Sequence, residues 1–439
     1  MATSHLIEVS ALPVAAAGSG GVTGDSWSTE DAGPTKRVGW LFVGVYALAY
    51  AGTWLALLTP VLVTIALRVR QLAPENAAQN LSLILALGAS CALLAGPIFG
   101  YLSDRTTSRF GMRRPWLVGG ILCGFAALLF IATANSIAAI LVGWCVAQLA
   151  FNAVLASIVA LLPDQVPAAQ RGTVSGVLGI CMPIGQVAGT FLVQAVADSI
   201  LQSFMLPAAV GVATVLLLAL LLPDRRLHAR PAARPRRDLL ASFWLSPRDY
   251  PDFCWAWLSR FLLGVGCAFV TTYQPFYLIE KLGRRLDEVP PLIFKSMLVQ
   301  ASLIIVVSLL SGMLSDLLGR RKVFVLLGAL IYTGGLWTIA SAESYTSFLF
   351  GMAIAGIGHG IYFAVDLALV TEVLPDQQRD AAKDLGILNI SNALPQVVAP
   401  AMGAAILSLA NADYAWLFIT AGCIALSSAC AILPVKSVR

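Results

Sequence analysis

The amino-acid sequence predicts an all-α integral membrane protein, with twelve transmembrane helices arranged as two pseudo-symmetric six-helix bundles. Three observations carry this. Of 439 residues, 58% are hydrophobic and 12% charged, about half the charge of an ordinary soluble protein, so a water-facing surface could not be covered. From Val38 onward the chain is a succession of apolar runs, each near the ~20 residues that cross a ~30 Å hydrocarbon core. The chain also repeats at one offset of 212: Gly100, Leu102, Ser103 and Asp104 return as Gly312, Leu314, Ser315 and Asp316. Pro163, Asp164, Gln165 and Arg171 return as Pro375, Asp376, Gln377 and Lys383, and Pro183 as Pro395, which implies a duplicated half.

Residues 1–37 are rich in Ala, Gly, Ser and Thr without sustained periodicity, and read as a disordered tail. They have no basic start and no apolar core long enough for a signal peptide. The apolar runs then fall at about 39–66, 79–102, 115–134, 137–162, 172–198, 202–222, 252–279, 291–314, 322–341, 345–374, 384–409 and 413–434. Backbone left unpaired in lipid is too costly, so each run is a helix, and an even number brings both termini to one side. The first six runs form one bundle, 38–222, and the last six another, 252–439, joined by a linker at 223–251. That linker carries Arg225, Arg226, Arg230, Arg234, Arg236 and Arg237. Of the 28 lysines and arginines, 21 lie on the side of the termini and five on the other, which predicts cytoplasmic termini in a multi-pass protein of the cell inner (plasma) membrane.

The loop GYLSDRTTSRFGMRRP, Gly100 to Pro115, and its echo GMLSDLLGRRKV from Gly312 read as GxLxDR followed by GxRR. Placed between the second and third helices of each half, this pattern resembles the signature loop of the major facilitator superfamily. The first copy departs from the usual form by extra residues, Thr106 to Arg109, ahead of Gly111. That longer form is similar to glycoside and cation symporters, including sucrose transporters and related bacterial carriers. The resemblance implies alternating access between the bundles, with helices 1, 4, 7 and 10 lining a central cavity. It also implies that the loops act as a conformational latch, formed by Gly100, Asp104, Arg105, Arg109, Arg113 and Arg114 and by Gly312, Asp316, Arg320 and Arg321. The charge pattern suits this: Asp104 ends a helix among four arginines, and can pair with them or cap a helix of the opposing half. Glycines let helices approach closely. The same charges could equally anchor the loop at the headgroups.

Polar residues inside spans are costly and are paired or functional. Arg260 and Asp366 lie at matching depths, ~12–14 Å inside the cytoplasmic face at 1.5 Å per residue. A carboxylate that meets and leaves an arginine in a dry site is a proton-coupling switch; a static pair locking two helices is the alternative. His359 shares a helix face with Asp366, with Tyr362 between, and is a proton relay or a packing residue. Candidate substrate contacts are Asn389, Asn392 and Gln396, one polar stripe; Gln148 with Asn152; Gln186 after Pro183; Tyr46 and Tyr50, with Trp54 on the same face; Tyr273 with Gln274; and Tyr362. Aromatic faces with amide donors suit a sugar ring, and such stripes also serve as packing and interhelical hydrogen-bond glue.

Enzyme chemistry finds no footing: P-loop, HExxH and nucleophile-elbow patterns are missing, and no cofactor or metal is expected. The eight cysteines sit in or at the ends of apolar runs and read as small hydrophobes. The net charge of +5 lies in loops without interleaved aromatics, which argues against nucleic acid. The expectation is a monomeric secondary transporter of a small solute, with the lipid bilayer as solvent, and most simply a proton symporter of a sugar or glycoside. An exporter of drugs or secondary metabolites and a non-transporting solute sensor are the alternatives.

Overall fold

The computed structural model describes residues 37–226, 250–372, 381–410 and 413–435, omitting the side chains of 168, 169, 172, 316, 366–372, 381–389 and 392. The expected tail, most of the linker, and the side chains of Asp316, Asp366, Asn389 and Asn392 therefore lie outside the described residues, as does the second copy of the PDQ repeat.

The described chain is helical throughout. Helix α1 (Trp40–Thr59) runs through a π turn at Pro60–Thr64 into α2 (Ile65–Leu72). Pro60 has no N–H to give to the ladder, and the register slips until the Ile65 N–H reaches the Pro60 carbonyl. Composition ends this span at residue 66 because Arg68 and Arg70 follow. The helix nevertheless carries on to Leu72, since Arg68 donates to the Ala134 carbonyl at 2.7 Å and Arg70 reaches the other bundle. Next come α3 (Ala77–Asp104), α4 (Arg114–Thr133) and α5 (Ile137–Gln165), the last started by Ser136, whose hydroxyl accepts from the Ala139 N–H. The fifth span is two helices, α6 (Ala168–Gly179) and α7 (Cys181–Ala195), broken where Pro183 would crowd the carbonyl of Gly179. Helix α8 (Ile200–Leu221) closes the first half.

The second half holds α9 (Pro251–Phe276), α10 (Val289–Leu318), α11 (Arg321–Ala340), α12 (Tyr345–Glu372), α13 (Ala381–Leu409) and α14 (Tyr414–Ile432). Helix α10 stops at Gly319, whose φ of 60° lets its N–H close on the Ser315 carbonyl. Helices α11 and α12 touch backbone to backbone: a Cβ on Gly358 would sit 2.3 Å from the Tyr332 nitrogen, and one on Gly335 2.5 Å from the Ala355 nitrogen. Eleven of the helical spans are long and apolar enough to cross a membrane, and the described apolar part of the twelfth, Ala393–Leu409, is shorter.

The two bundles meet at the ends of helices far from the termini. Arg70 pairs with Glu280 at 2.5 Å, the Ser82 hydroxyl lies 2.6 Å from that of Tyr273, and Phe191 packs on Phe294 at 5.4 Å. Burial follows. On α10, Val289 and Ile293 are fully buried at the far end, whereas Leu309, Met313 and Leu317 near the termini side are 66%, 67% and 82% exposed. The side-chain contacts described between the bundles all lie at the far ends of their helices.

Candidate functional site

The signature loop forms around one buried cation. Arg113, 3% exposed, donates from Nε to Asp164 at 2.9 Å, and from its terminal nitrogen to Asp104 at 2.7 Å and to the Ser103 hydroxyl at 2.6 Å. Helices α3 and α5 thus hold the guanidinium between two carboxylates just before α4 starts. A fork of donors meeting two carboxylates is a geometry that lysine cannot reproduce.

Asp224, just beyond α8, completes the loop. One carboxylate oxygen accepts from the backbone N–H groups of Arg113 and Arg114, each at 2.8 Å, and so caps the first turn of α4. Its place demands a glycine opposite: Gly111 has φ of 109°, and a Cβ there would fall 2.1 Å from the same oxygen. The Arg114 guanidinium donates to the Leu222 carbonyl, and Gln165 to that of Pro223 at 3.1 Å. Asp104 is therefore in the cation-paired arrangement that its sequence neighbourhood suggests. Among the four arginines its partner is Arg113, while Arg105 lies over the Tyr101 ring and Arg109 over Phe110. Nothing crowds a Cβ at Gly100, and Gly312 faces Ala364 at 3.9 Å. In the second copy, Arg320 is exposed and Arg321 is half-buried with an interaction partner.

In the membrane interior α9 and α12 lie side by side. The Ser259 hydroxyl donates to the Ser428 carbonyl at 3.0 Å and lies 3.3 Å from the Tyr362 hydroxyl. Further along, His359 Nδ1 is 3.9 Å from Cys267 Sγ, with its ring edge-on to Tyr332 at 5.9 Å. His359 thus sits among α9, α11 and α12 in the second bundle. Arg260, next to Ser259, is half-buried and engaged, and the ring of Trp257 stacks on Phe261 at 5.5 Å.

The other candidates divide by burial. Gln148 is buried and Asn152 half-buried; the Asn152 amide donates to the Gln148 backbone carbonyl at 2.8 Å and its side-chain oxygen at 3.3 Å. Tyr50 and Trp54 form an edge-on pair at 5.9 Å, and the Trp54 indole N–H is buried without an acceptor among the described residues. Gln186 is half-buried and Gln396 exposed. Tyr46 and Tyr273 are engaged by backbone carbonyls, and Gln274 through its amide N–H alone, its buried side-chain oxygen having no donor among the described residues. Tyr46 is fully buried and donates to the Ile158 carbonyl at 2.7 Å; Tyr273 donates to the Pro400 carbonyl at 2.9 Å; Gln274 donates to Ser296. Among the described residues no three metal-ligating side chains gather, and all eight cysteines are free.

Two helical bundles joined at the far ends of their helices around a polar middle have the architecture of membrane transporters. The profile of the Major Facilitator Superfamily matches residues 39–299 and again 294–438, and the chain belongs to that family. It is a multi-pass membrane transporter, and the family does not consist of enzymes. Among curated relatives, Multidrug resistance protein MdtL of Klebsiella pneumoniae (strain 342) is 35% identical over 95 residues, 22% of this chain and 24% of that one. The MdtL of Shewanella oneidensis is 33% identical over the same length, 22% and 23% of the two chains. The matched region thus spans about a quarter of these curated relatives. Solved structures share the fold over 90% of this chain. The nucleoside transporter NupG has a TM-score of 0.70 at 14% identity, covering 99% of that chain. A D-xylose-proton symporter scores 0.68 at 16% and 98%. A bacterial homologue of the lysosomal transporter Spinster, inward-facing and unoccupied, scores 0.69 at 14% and 98%.

Proposed function

We propose that this chain is a proton-coupled symporter of a sugar or glycoside, with cytoplasmic termini, whose coupling element is Arg260 on α9 with Asp366 on α12. The observation that carries the reading is the Ser259–Tyr362 contact. It sets the turn of α9 bearing Arg260 against the face of α12 that continues one turn on to position 366. A carboxylate leaving and rejoining a guanidinium in a low-dielectric site binds and releases a proton at each cycle. The amide pair of Gln148 and Asn152 and the unpaired Trp54 indole N–H offer hydrogen bonds and an aromatic face to a hydroxylated ring. The extended Thr106–Arg109 loop favours the same substrate class by its resemblance to glycoside symporters. The fold accommodates such work, since a D-xylose-proton symporter shares it.

The MdtL relatives favour a second reading, proton-coupled drug export. Uptake into proteoliposomes with an imposed inside-alkaline pH gradient separates the two. A symporter concentrates labelled mono- or disaccharides under that gradient and ignores amphiphilic cations, whereas an exporter accumulates the cations only when the gradient is reversed to inside-acid, in exchange for protons that leave. Saturable binding of a sugar without counterflow would defeat both in favour of a sensor.

A further inference from the structure

The extra residues Thr106 to Arg109 have no part in the Arg113 network, yet they build something. Thr106, Thr107 and Ser108, together with Tyr101, Leu102, Arg105 and Trp116, wall an open cavity of about 530 Å³ between the end of α3 and the start of α4, at the membrane boundary on the termini side. We propose that this cavity binds the phosphate headgroup of an anionic phospholipid.

The wall is fixed by Thr106, whose hydroxyl accepts from the Trp116 indole N–H and donates to the Leu102 carbonyl, both at 2.8 Å. The remaining donors are uncommitted. Arg105 lies over the Tyr101 ring with its centre 5.2 Å from the centroid, and has no carboxylate partner among the described residues. The Thr107 hydroxyl has no partner among them, and Ser108 accepts from the Phe110 N–H at 3.1 Å while its own proton remains available. No carboxylate lines the cavity, and Asp104 next to it is already held by Arg113. A guanidinium with two hydroxyls and no competing acid is a phosphate site.

Two features choose a lipid over a free phosphate ion. Leu102 at the cavity rim continues into Ile98 and Leu94, spaced by four, so one face of α3 presents an apolar ridge, 41%, 52% and 64% exposed, along which an acyl chain can lie. Trp116, paired with Phe99 at 5.5 Å, supplies the amphipathic ring that belongs at headgroup level. The proposal does not depend on the substrate.

The test is native mass spectrometry of the full-length protein, titrated separately with phosphatidylglycerol, phosphatidylcholine and inorganic phosphate. Phosphatidylglycerol should bind several-fold tighter than phosphatidylcholine, and millimolar phosphate should not displace it. Arg105→Gln should weaken phosphatidylglycerol about ten-fold, the loss of one charge-assisted contact. Thr107→Val, which keeps the charge and leaves the fold untouched, should weaken it about three-fold, for one neutral hydrogen bond. Equal affinity for the two lipids, or unchanged binding in both variants, overturns the proposal. Displacement by inorganic phosphate overturns the lipid in favour of a free ion.

Discussion

Replacing Arg113 by methionine keeps most of the buried volume and removes the charge that Asp104, Asp164 and Ser103 share. Losing one partner of a fully buried ion pair costs ~3–5 kcal/mol. Here the Asp164 and Asp104 side chains keep 29% and 62% of their exposure, so water recovers part of the loss. The expected destabilisation is about 2–3 kcal/mol, most of it from Asp164. The assay is a double-mutant cycle by equilibrium unfolding in mixed micelles, using R113M, D164N and D104N singly and in pairs. R113M with D164N should be less damaging than the sum of the two by about 1–2 kcal/mol, because the orphaned carboxylate is gone. The D104N pair should show about half that coupling or less. Additivity within ~0.5 kcal/mol for both pairs would refute the picture of one guanidinium organising the loop.

Other outcomes follow from single contacts. Gly111→Ala combines a disfavoured backbone with a clash on Asp224 and should cost ~1–3 kcal/mol, whereas Gly283→Ala, at φ of 63° with open space around it, should cost about 1 or less; thermal unfolding compares them. Tyr273→Phe removes the hydroxyl that joins Ser82 to Pro400 across the far-side seam and should raise the population open on that side several-fold, at about 1 kcal/mol, read by spin-label distances across the far ends of α3 and α13. Glu280→Gln, at a partly exposed pair, should change the same population by twofold or less. Gly358→Ala should destabilise by ~1–3 kcal/mol, because α12 has no room to leave Tyr332.

The number of spans, the duplication and the signature loops were legible because they are local: a run of apolar residues or a GxLxDR string needs no knowledge of distant partners. Contacts that close over long stretches were not. Asp224 lies 111 residues from the backbone it caps, and nothing around Pro223 marks it as a helix cap for α4. Arg70 and Glu280 look like ordinary loop charges until the far ends of the bundles are brought together. The same holds for Cys267 beside His359, two residues 92 apart whose types suggest packing when taken singly. Hydrophobicity also misplaced the end of the first span, because Arg68 and Arg70 lie on a helix that continues past them. Among the aromatic candidates, the sequence could not distinguish Tyr46 and Tyr273, whose hydroxyls donate to distant backbone carbonyls, from Tyr50, since all three share the same chemistry.

The most direct test of proton-coupled symport is the pH change that a sugar induces in proteoliposomes, compared between wild type and Asp366→Asn, with counterflow measured in parallel. The account predicts alkalinisation outside on adding sugar to the wild type, and its loss in Asp366→Asn while sugar counterflow survives. A variant that still couples protons to sugar would contradict the Arg260–Asp366 switch and reduce that pair to a structural lock. A wild type that moves protons only with amphiphilic drugs would contradict symport itself.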